Sequence, residues 1–364
     1  MPRPPHISQL RAVLSAAFRL GAAFVAVIVL LANGGAAAQP APLRLKIVGG
    51  LAGVAQYMQH EEPFWLNRVP QLTAGVVQAE IAPFDRSGIR GQELLRLLRL
   101  GVVSYANVLL GLAAADDPEL DALALPLANR DQAELRRNAD LLRPGLAQLL
   151  EQRFDAELLG IYIYPAQVMI CRGAFTGLAD LAGRRVRVSS AAQGDLMSSL
   201  GAVPVAIPFA EIAPAMRDGV VHCVVTGAQS AADIGMLSVA THVSTLPINW
   251  GVSVFVANRG AWMSLPETIR DRLRAGLAQL EVEIWEAADR ANRDGIACAI
   301  GASSCPPGQR RRLQLVVEPP METVQRRLLT EAVVPAWLRR CGSTCAEIWN
   351  GTMGPALRVQ AGGG

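Results

Sequence analysis

The stretch DLAGRRVRV, Asp180–Val188, decides the fold, because it predicts a strand that carries an unexpected charge. Val186 and Val188 alternate with Arg185 and Arg187, which is the two-residue period of a half-buried β-strand. A guanidinium that leaves water needs paired acceptors, so arginine is a costly choice for a buried strand position. Arg187 is therefore expected to bind an anionic ligand, to form a structural ion pair, or to face outward on an edge strand.

The composition of the 364-residue chain allows a large core, since hydrophobic residues make up 51% and charged residues 18%. This balance does not match a disordered chain, and the length suits two lobes better than one small domain. Three of the 34 Lys and Arg residues are Arg3, Arg11 and Arg19, and the rest balance the 31 Asp and Glu residues. A chain that is neutral beyond residue 38 predicts no nucleic-acid partner.

The first 38 residues carry the pattern of a secretory signal peptide. Basic residues precede the apolar run Leu20–Ala32, and Ala36 and Ala38 stand in the positions of a small-residue cleavage site. We expect cleavage after Ala38 and an exported protein. The alternative is an uncleaved membrane anchor, although the apolar run is short for a span of roughly 20 residues.

Six cysteines fit an oxidising compartment, where an even number predicts disulfides. Each of the last four cysteines has a near neighbour in the sequence with which it is expected to pair. The first two cysteines are then left to pair with each other. The expected disulfides are Cys171–Cys223, Cys298–Cys305 and Cys341–Cys345. A metal site is the alternative, but the C-x6-C and C-x3-C spacings are poor for zinc and no nearby His completes them. We expect no metal and no cofactor.

Predicted strands alternate with predicted helices along the chain, which indicates an α/β fold with a parallel sheet. Two successive strands are expected at Leu158–Pro165 and Gln167–Gly173. The longest helical signal begins after Ser264, a candidate N-cap, and is expected to end at Gly295. Its apolar stripe consists of Ile269, Leu273, Leu277, Leu280 and Ile284. Because no linker separates two segments, the lobes are expected to interleave.

Several motifs follow one another in a specific order. DLAGRRVRV matches the pattern Asp-Leu-x-Gly-(basic)-(basic)-x-Arg-Val, and GAVPVAIPFAEI (Gly201–Ile212), DGVVHC (Asp218–Cys223) and WGVSVFVANRGAWMSLPE (Trp250–Glu267) come after it. Together they resemble the extracytoplasmic solute-binding subunit of TRAP (tripartite ATP-independent periplasmic) transporters, the DctP-like family. The tail CGSTCAEIWN, Cys341–Asn350, resembles a cysteine-rich subgroup. The resemblance covers nearly all of the chain beyond residue 38.

The resemblance implies a fold and a division of the chain. The implied fold is the α/β, two-lobed periplasmic-binding-protein fold (type II-like), with interleaved lobes, hinge strands and a long helix spanning both lobes. Lobe I is expected to hold residues 39–165 and about 248–290. Lobe II and the C-terminal tail are expected to hold residues 166–247 and about 291–364.

The resemblance also implies site residues, and it makes Arg187 the one that binds the ligand carboxylate. A guanidinium matches a carboxylate with two parallel charge-assisted hydrogen bonds, which agrees with that role. Gln167 stands where some members have a second arginine; it can donate a hydrogen bond but cannot neutralise a charge. Arg172 is expected either to compensate or to lie in an exposed loop. Thr226 stands where many members have a ligand-contacting Asn, although Thr is also an ordinary strand residue.

Three more residues are candidates for the ligand site. Asn249 and Trp250 lie where the chain is expected to cross back between the lobes, and Trp250 suits either an apolar cleft wall or the core. Tyr57 follows the glycine turn of the first strand, where α/β sheets place ligands.

The function implied by the resemblance is capture of a small organic carboxylate and its delivery to the membrane permease of a TRAP transporter, by a periplasmic monomer. One alternative is a binding protein that serves a sensor or another uptake system. The other is a secreted enzyme, but the chain holds no G-x-S-x-G, H-E-x-x-H or G-x-x-x-x-G-K-[ST] motif. The residues do not name the solute or decide between a monocarboxylate and a dicarboxylate.

Overall fold

A computed structural model describes residues 41–318 and 322–361, whose strands form one ten-stranded sheet. The predicted signal peptide lies outside these residues. Within them, no helix has the length and apolar content needed to cross a membrane. The strands are β1 (Leu43–Gly49), β2 (Val77–Pro83), β3 (Tyr105–Leu109), β4 (Ala156–Cys171), β5 (Arg185–Val188), β6 (Val203–Ala206), β7 (Cys223–Gly227), β8 (His242–Ser244), β9 (Asn249–Asn258) and β10 (Gln314–Val316).

Helices connect most of the strands. The α-helices are α1 (Val69–Leu72), α2 (Leu94–Arg99), α3 (Leu110–Ala113), α4 (Gln132–Phe154), α5 (Ala191–Ser199), α6 (Ile212–Arg217), α7 (Ala228–Asp233), α8 (Arg259–Met263), α9 (Glu267–Ile300), α10 (Glu322–Leu328), α11 (Val334–Cys341), α12 (Ser343–Gly351) and α13 (Met353–Leu357). Short 3₁₀ or π-helical segments lie at Gln56–Glu61, Phe64–Arg68, Phe84–Arg86, Gly91–Glu93, Pro118–Ala124, Leu178–Leu181, Phe209–Glu211, Met236–Ser238, Pro307–Gln309 and Leu329–Val333.

The sheet has two parallel halves that are joined by long antiparallel strands. In the first half β1 pairs in parallel with β2 and β3, and in the second half β5 pairs in parallel with β6 and β7. Between the halves, β9 is antiparallel to β3, and β4 is antiparallel to β9 and β7. β8 pairs with the end of β4, and β10 pairs with β8. The predicted α/β fold class is confirmed.

β4 is one strand of 16 residues, so the prediction of two separate strands was wrong. Its register with β9 shifts between Ile163 and Ala166, and this irregularity takes up Pro165. Proline cannot donate a hydrogen bond to the ladder, and such irregularities are where sheets tolerate it. Gln167 is the partner of Asn249 on one side and of Gly227 on the other. The strand therefore runs from the first half of the sheet into the second.

The long helix α9 packs against both halves of the molecule. Its apolar stripe from Ile269 to Ile284 is buried, as expected. Gly276 is so close to the first half that an added Cβ would lie 2.6 Å from Leu72 Cδ1. Gly295 is as close to the second half, since an added Cβ would lie 2.4 Å from the backbone nitrogen of Gln229.

Both predicted ends of α9 were wrong. Ser264 is not its N-cap, because the Ser264 hydroxyl donates to the carbonyl of Ala261 and the helix begins at Glu267. The helix continues past Gly295 to Ile300, and Gly301, with φ 81°, ends it in the left-handed conformation that glycine adopts readily. Gly295 allows α9 to approach α7 closely and does not end the helix.

The three disulfides join the pairs that sequence proximity favours. Cys171–Cys223 links paired residues of β4 and β7. Cys298–Cys305 ties the end of α9 to the loop after it, and Cys341–Cys345 ties the end of α11 to α12. No cysteine of the described residues is free.

Candidate functional site

The carboxyl ends of the parallel strands in the two halves face each other. Gly111, after β3, lies so close to Ser190, after β5, that an added Cβ would be 3.2 Å from the Ser190 Cβ. Ala55, after β1, and Asp233, in α7, line the same cavity. Loops beyond the carboxyl ends of strands are where open α/β sheets bind ligands. These contacts define the candidate site.

Arg187, next to the last residue of β5, has a buried guanidinium. Only 4% of the residue is exposed; its Nε donates to the carbonyl of Ile207 at 2.9 Å, and its Nη1 donates to the carbonyl of Val225 at 3.1 Å. No carboxylate of the described residues forms an ion pair with it. Burial lowers the pKa of Arg187 to about 10, which leaves it cationic at neutral pH. The two carbonyls orient a guanidinium that forms no ion pair within the described part of the chain.

The structure brings Thr226 to the same face of the sheet as Arg187. Arg187 is the partner of Val224, and Thr226 follows two residues later in β7, where side chains return to the same face. Thr226 is buried. Gln167 pairs with Gly227 and therefore belongs to the opposite face. Its amide nitrogen donates to the carbonyl of Pro165, at 2.7 Å.

Asn249 has both ends of its side chain engaged within the protein. Its Oδ1 accepts from Gln193 Nε2 at 2.9 Å, and its Nδ2 donates to the carbonyl of Ala124 at 3.0 Å. Trp250, the next residue, donates from Nε1 to the carbonyl of Asn129 and is buried in the core. It also lines a cavity of about 230 Å³ between β4, β9 and α9.

The contacts of Arg172 and Tyr57 are with parts of the structure other than Arg187. Arg172 follows Cys171, which is paired with Cys223 at the amino end of β7, whereas Gly227 is at the carboxyl end. The Arg172 guanidinium donates to the carbonyl of Arg217 at 2.9 Å. The ring of Tyr57 packs on Gly49. Burial and the neighbouring Glu62 raise the pKa of Tyr57 to about 12, so its hydroxyl stays neutral.

A buried acid that the sequence did not single out lies at the end of β1. Glu61 accepts hydrogen bonds from the backbone of Gly50 at 2.8 Å, from Gln56 Nε2 at 2.8 Å and from Asn107 Nδ2 at 2.7 Å. Burial raises its pKa, while these three donors favour the charged form. An added Cβ on Gly50 would lie 2.7 Å from the hydroxyl of Tyr164. The Gly49–Gly50 pair, which lets these groups approach, was the only sequence signal for this cluster.

A second buried acid, Asp121, lies where Gly111 meets Ser190. Burial raises the pKa of Asp121 to about 7, against the opposing effects of Arg340 and of the Ala192 amide in α5. Neither carboxylate oxygen has a hydrogen-bond partner of ordinary geometry in the described structure. No sequence motif marks Asp121, because its burial results from segments that are distant in the chain.

A cavity of about 420 Å³, within the size range of small-molecule sites, opens beside Gln56, and Arg187, Thr226 and Asp121 are not among its lining residues. Its walls come from the helical segment after β1, from the middle of β4, from α7 and from α9. Among the described residues, no cluster of His, Cys, Asp and Glu could hold a metal ion. The buried cation of Arg187 is suited to binding an anion.

Comparison with known proteins gives a consistent match. The family model described as bacterial extracellular solute-binding protein, family 7, matches residues 55–302. The outer membrane transporter protein TsaT of Comamonas testosteroni is 26% identical over 226 residues, which are 58% of this chain and 63% of that protein. The match thus spans less than two thirds of this curated relative's length.

Two solved structures share the fold. DctP7 of Bordetella pertussis, an extracytoplasmic solute receptor that binds pyroglutamic acid, has a TM-score of 0.74 at 20% identity, covering 85% of this chain and 99% of that one. A TRAP periplasmic solute-binding protein of Desulfovibrio salexigens with bound orotic acid has a TM-score of 0.74 at 16% identity, covering 84% of this chain and 96% of that one. At these identities the likeness shows the two-lobed fold alone.

Proposed function

This chain belongs to the bacterial extracellular solute-binding proteins of family 7, and we propose that it captures a small organic carboxylate between the halves of its sheet and delivers it to a TRAP-type membrane permease. In this proposal the chain is exported to the periplasm and works as a monomer. It acts by binding and release and does not transform its solute.

The observation that carries the proposal is the state of Arg187. A buried guanidinium without an anionic partner costs free energy, and a bound carboxylate would supply the missing charge and two parallel hydrogen bonds. The carbonyls of Ile207 and Val225 occupy part of the guanidinium and hold its plane in place. A preorganised cation of this kind loses little entropy when the ligand binds.

In this proposal two lobes close on the solute, and the strands that run from one half of the sheet to the other connect them. We assign residues 39–165 and about 248–290 to lobe I, and residues 166–247 and about 291–364 to lobe II. β4 and β9 would then act as the hinge, and α9 would lie across both lobes. Hinge closure is driven by contacts that the ligand makes with both lobes at once. The close approach of Gly111 to Ser190 would be one such closed-state contact.

The predicted site residues take different parts in this proposal. Arg187 binds the carboxylate, Thr226 adds a hydroxyl on the same face, and Gln167 and Trp250 border the site near the hinge. Asn249 holds neighbouring groups in position, because its polar atoms already have partners. We do not include Arg172 and Tyr57 among the ligand contacts. Arg172 lies near the amino end of β7, and Tyr57 packs on β1.

The known ligands of the two structural relatives guide the choice of test compounds. Pyroglutamic acid and orotic acid are the molecules bound by the Bordetella and Desulfovibrio proteins. Both are cyclic acids with one carboxylate. A thermal-shift screen of the mature protein should include them with hydroxy acids, keto acids, amino acids and dicarboxylates. A ligand at 100 times its Kd should add about 2.7 kcal/mol of stability.

The decisive variant is Arg187→Ala, measured by calorimetric titration with the best acid from the screen. Loss of a charge-assisted bidentate contact should cost about 3 kcal/mol or more, which is roughly a 100-fold loss of affinity. Arg185→Ala is the matched control, because Arg185 lies on the same strand, is exposed and also donates to backbone carbonyls. Equal affinities for the two variants, or no acid that shifts the wild type, would refute the proposal.

A further inference from the structure

Asp121 is a buried acid that the proposed carboxylate site does not use. It belongs to the helical segment Pro118–Ala124 of the first half, and only 1% of the residue is exposed. Among the described residues, neither of its carboxylate oxygens has a hydrogen-bond partner of ordinary geometry, and it forms no ion pair. Burying a carboxylate without donors or a counter-charge costs far more free energy than burying the neutral carboxyl. The geometry therefore favours a protonated Asp121 in this structure.

The Asp121 carboxyl lies where the two halves of the molecule meet. An added Cβ on Gly111, after β3, would lie 3.2 Å from the Ser190 Cβ and 3.8 Å from Asp121 Oδ1. Ser190 is the N-cap of α5 in the second half, and the Ala192 amide of α5 acts on the pKa of Asp121. Asp121 is thus covered partly by its own half and partly by the half that faces it. Separation of the halves would expose the carboxyl.

Arg340, in α11, lies between an acid of each half. Its charge lowers the pKa of Asp121, but its Nη1 forms an ion pair with Asp195 of α5. The Arg340 Nε and Nη2 are buried and have no hydrogen-bond partner within the described part of the chain. α11 is also attached to the segment that carries Asp121, because Trp337 Nε1 donates to the carbonyl of Pro118 at 2.6 Å. In this structure the guanidinium pairs with the acid of the second half.

Other charges on the elements packed against Pro118–Ala124 are paired or exposed. Arg153 of α4 pairs with Glu119 and Asp117. Arg339 of α11 and Glu347 of α12 are exposed, and neither α3 nor β9 carries an ionisable side chain. Arg340 is therefore the cation of the described residues that can neutralise this buried acid.

Opening of the halves would let Asp121 ionise by either of two routes. If α11 stays with the first half through its contact with Pro118, Arg340 leaves Asp195 and can pair with Asp121. If α11 instead moves with Asp195, water reaches the Asp121 carboxyl. Both routes stabilise the carboxylate, so the pKa of Asp121 is lower in the open state than in the closed state, where burial raises it to about 7.

We propose that Asp121 is a proton-binding site of the closed state: closure of the halves on the solute buries its carboxyl, which takes up one proton from the solvent, so the solute is bound more tightly at acidic than at neutral pH. The inference rests on the proposed function, because the solute drives the closure. The extra affinity is fully present below the ordinary pKa of 3.8 and is lost as the pH rises through about 7. One such group changes the affinity by at most about tenfold per pH unit.

The test is calorimetric titration of the wild-type protein with the best acid from the screen, at pH 6 and pH 8. At each pH two buffers with different enthalpies of ionisation are used, because the buffer dependence of the heat gives the number of protons taken up per solute bound. For a group with a pKa of about 7 in the closed state, we expect an uptake of about one proton at pH 6 and of about 0.1 at pH 8. The affinity should fall about tenfold between these two pH values.

A variant assigns the proton to its residue. Asp121→Asn should bind the acid without this uptake and with an affinity that is nearly the same at pH 6 and pH 8. Asp116→Asn, which removes an exposed acid nearby in the chain, is the matched control and should behave as the wild type. Other groups that titrate on binding contribute equally to the wild type and to Asp121→Asn, so the difference between them isolates Asp121.

Two results overturn the inference and leave the proposed function standing: an acid that binds the wild type without proton uptake at pH 6, or an uptake that Asp121→Asn retains. The first result needs no variant, so the inference stays testable even where Asp121→Asn does not fold. If no acid binds the wild type, the proposed function fails as well, so the two failures are distinguishable.

Discussion

Gln193 and Asn249 share a buried hydrogen bond, 2.9 Å from Nε2 to Oδ1, that joins α5 to β9. Gln193 also accepts from the backbone N–H of Ser189, two residues beyond Arg187, at 2.7 Å. Asn249 donates in turn to the carbonyl of Ala124 in the first half of the molecule. A continuous hydrogen-bonded path therefore connects the strand of the arginine with a crossing strand and the opposite half. Buried networks whose members are satisfied are rigid.

Replacing Gln193 by alanine should destabilise the protein and weaken solute binding. The change leaves the half-buried Ser189 N–H and the buried Asn249 Oδ1 without these partners, and an unsatisfied buried group costs about 1–3 kcal/mol. Urea unfolding measures the first effect and calorimetric titration the second. Gln148→Ala, at an exposed position of α4, is the control and should change neither quantity. Equal behaviour of both variants would show that the path is not structural.

Asp121 should make stability fall as the pH rises from about 4 to about 7. Its pKa is raised from 3.8 to about 7, so the folded protein keeps a proton that the unfolded chain releases in this window. The slope from one such group is at most about 1.4 kcal/mol per pH unit. The groups that oppose burial are Arg340, itself paired with Asp195, and the Ala192 amide.

The measurement is urea unfolding of the wild type and of Asp121→Asn at pH 5, 6, 7 and 8. The variant should lose less stability than the wild type between pH 5 and pH 7, because it has no proton to lose. Other buried acids titrate in both proteins and cancel in the difference. Parallel curves for the two proteins would contradict the raised pKa of Asp121.

The Cys171–Cys223 disulfide should contribute more stability than Cys341–Cys345. The first closes a loop with a sequence separation of 52 and the second a loop with a separation of 4. Loop entropy in the unfolded chain predicts losses of about 4 and about 2 kcal/mol when each pair is replaced by alanines. Denaturant unfolding of the two double variants gives the order. A larger loss for the short loop would point to packing, not chain entropy, as the source of stabilisation.

Gly295→Ala should destabilise the protein and disturb the cavity. The new Cβ would lie 2.4 Å from the backbone nitrogen of Gln229, so α9 must move away from α7, at a cost of about 1–3 kcal/mol. Gly145→Ala is a matched control inside α4, with no atom within 4 Å of the new Cβ. That control should gain about 0.5–1 kcal/mol from helix propensity. Thermal unfolding compares them, and a neutral Gly295→Ala would mean that the two helices separate without cost.

Local patterns in the sequence predicted much of the fold. The alternation of Val186 and Val188 with charged residues placed β5, and the apolar stripe beginning at Ile269 placed α9. Both patterns are visible within one element, because side-chain periodicity depends on backbone geometry alone. The close sequence spacing of Cys298 and Cys305 likewise allowed their pairing to be predicted.

The boundaries that the sequence missed depend on partners from elsewhere in the chain. β4 passes through Pro165 because β9 accommodates the irregularity with a register shift. α9 passes through Gly295 because α7 needs the space that a side chain would fill. In both places the local sequence predicted the end of an element. Contacts with a neighbouring element explain why the strand and the helix continue.

The sequence by itself determined the α/β class and the order of most elements, and it identified Arg187 as a candidate ligand-binding residue. Each of these follows from local periodicity or a short motif. Only the tertiary structure decided which charges stay unpaired. Glu61 meets Asn107 across 46 residues, and Gln193 meets Asn249 across 56. Burial and hydrogen bonding between such distant residues arise when the chain folds, and they set the charge of the site, which no single segment carries.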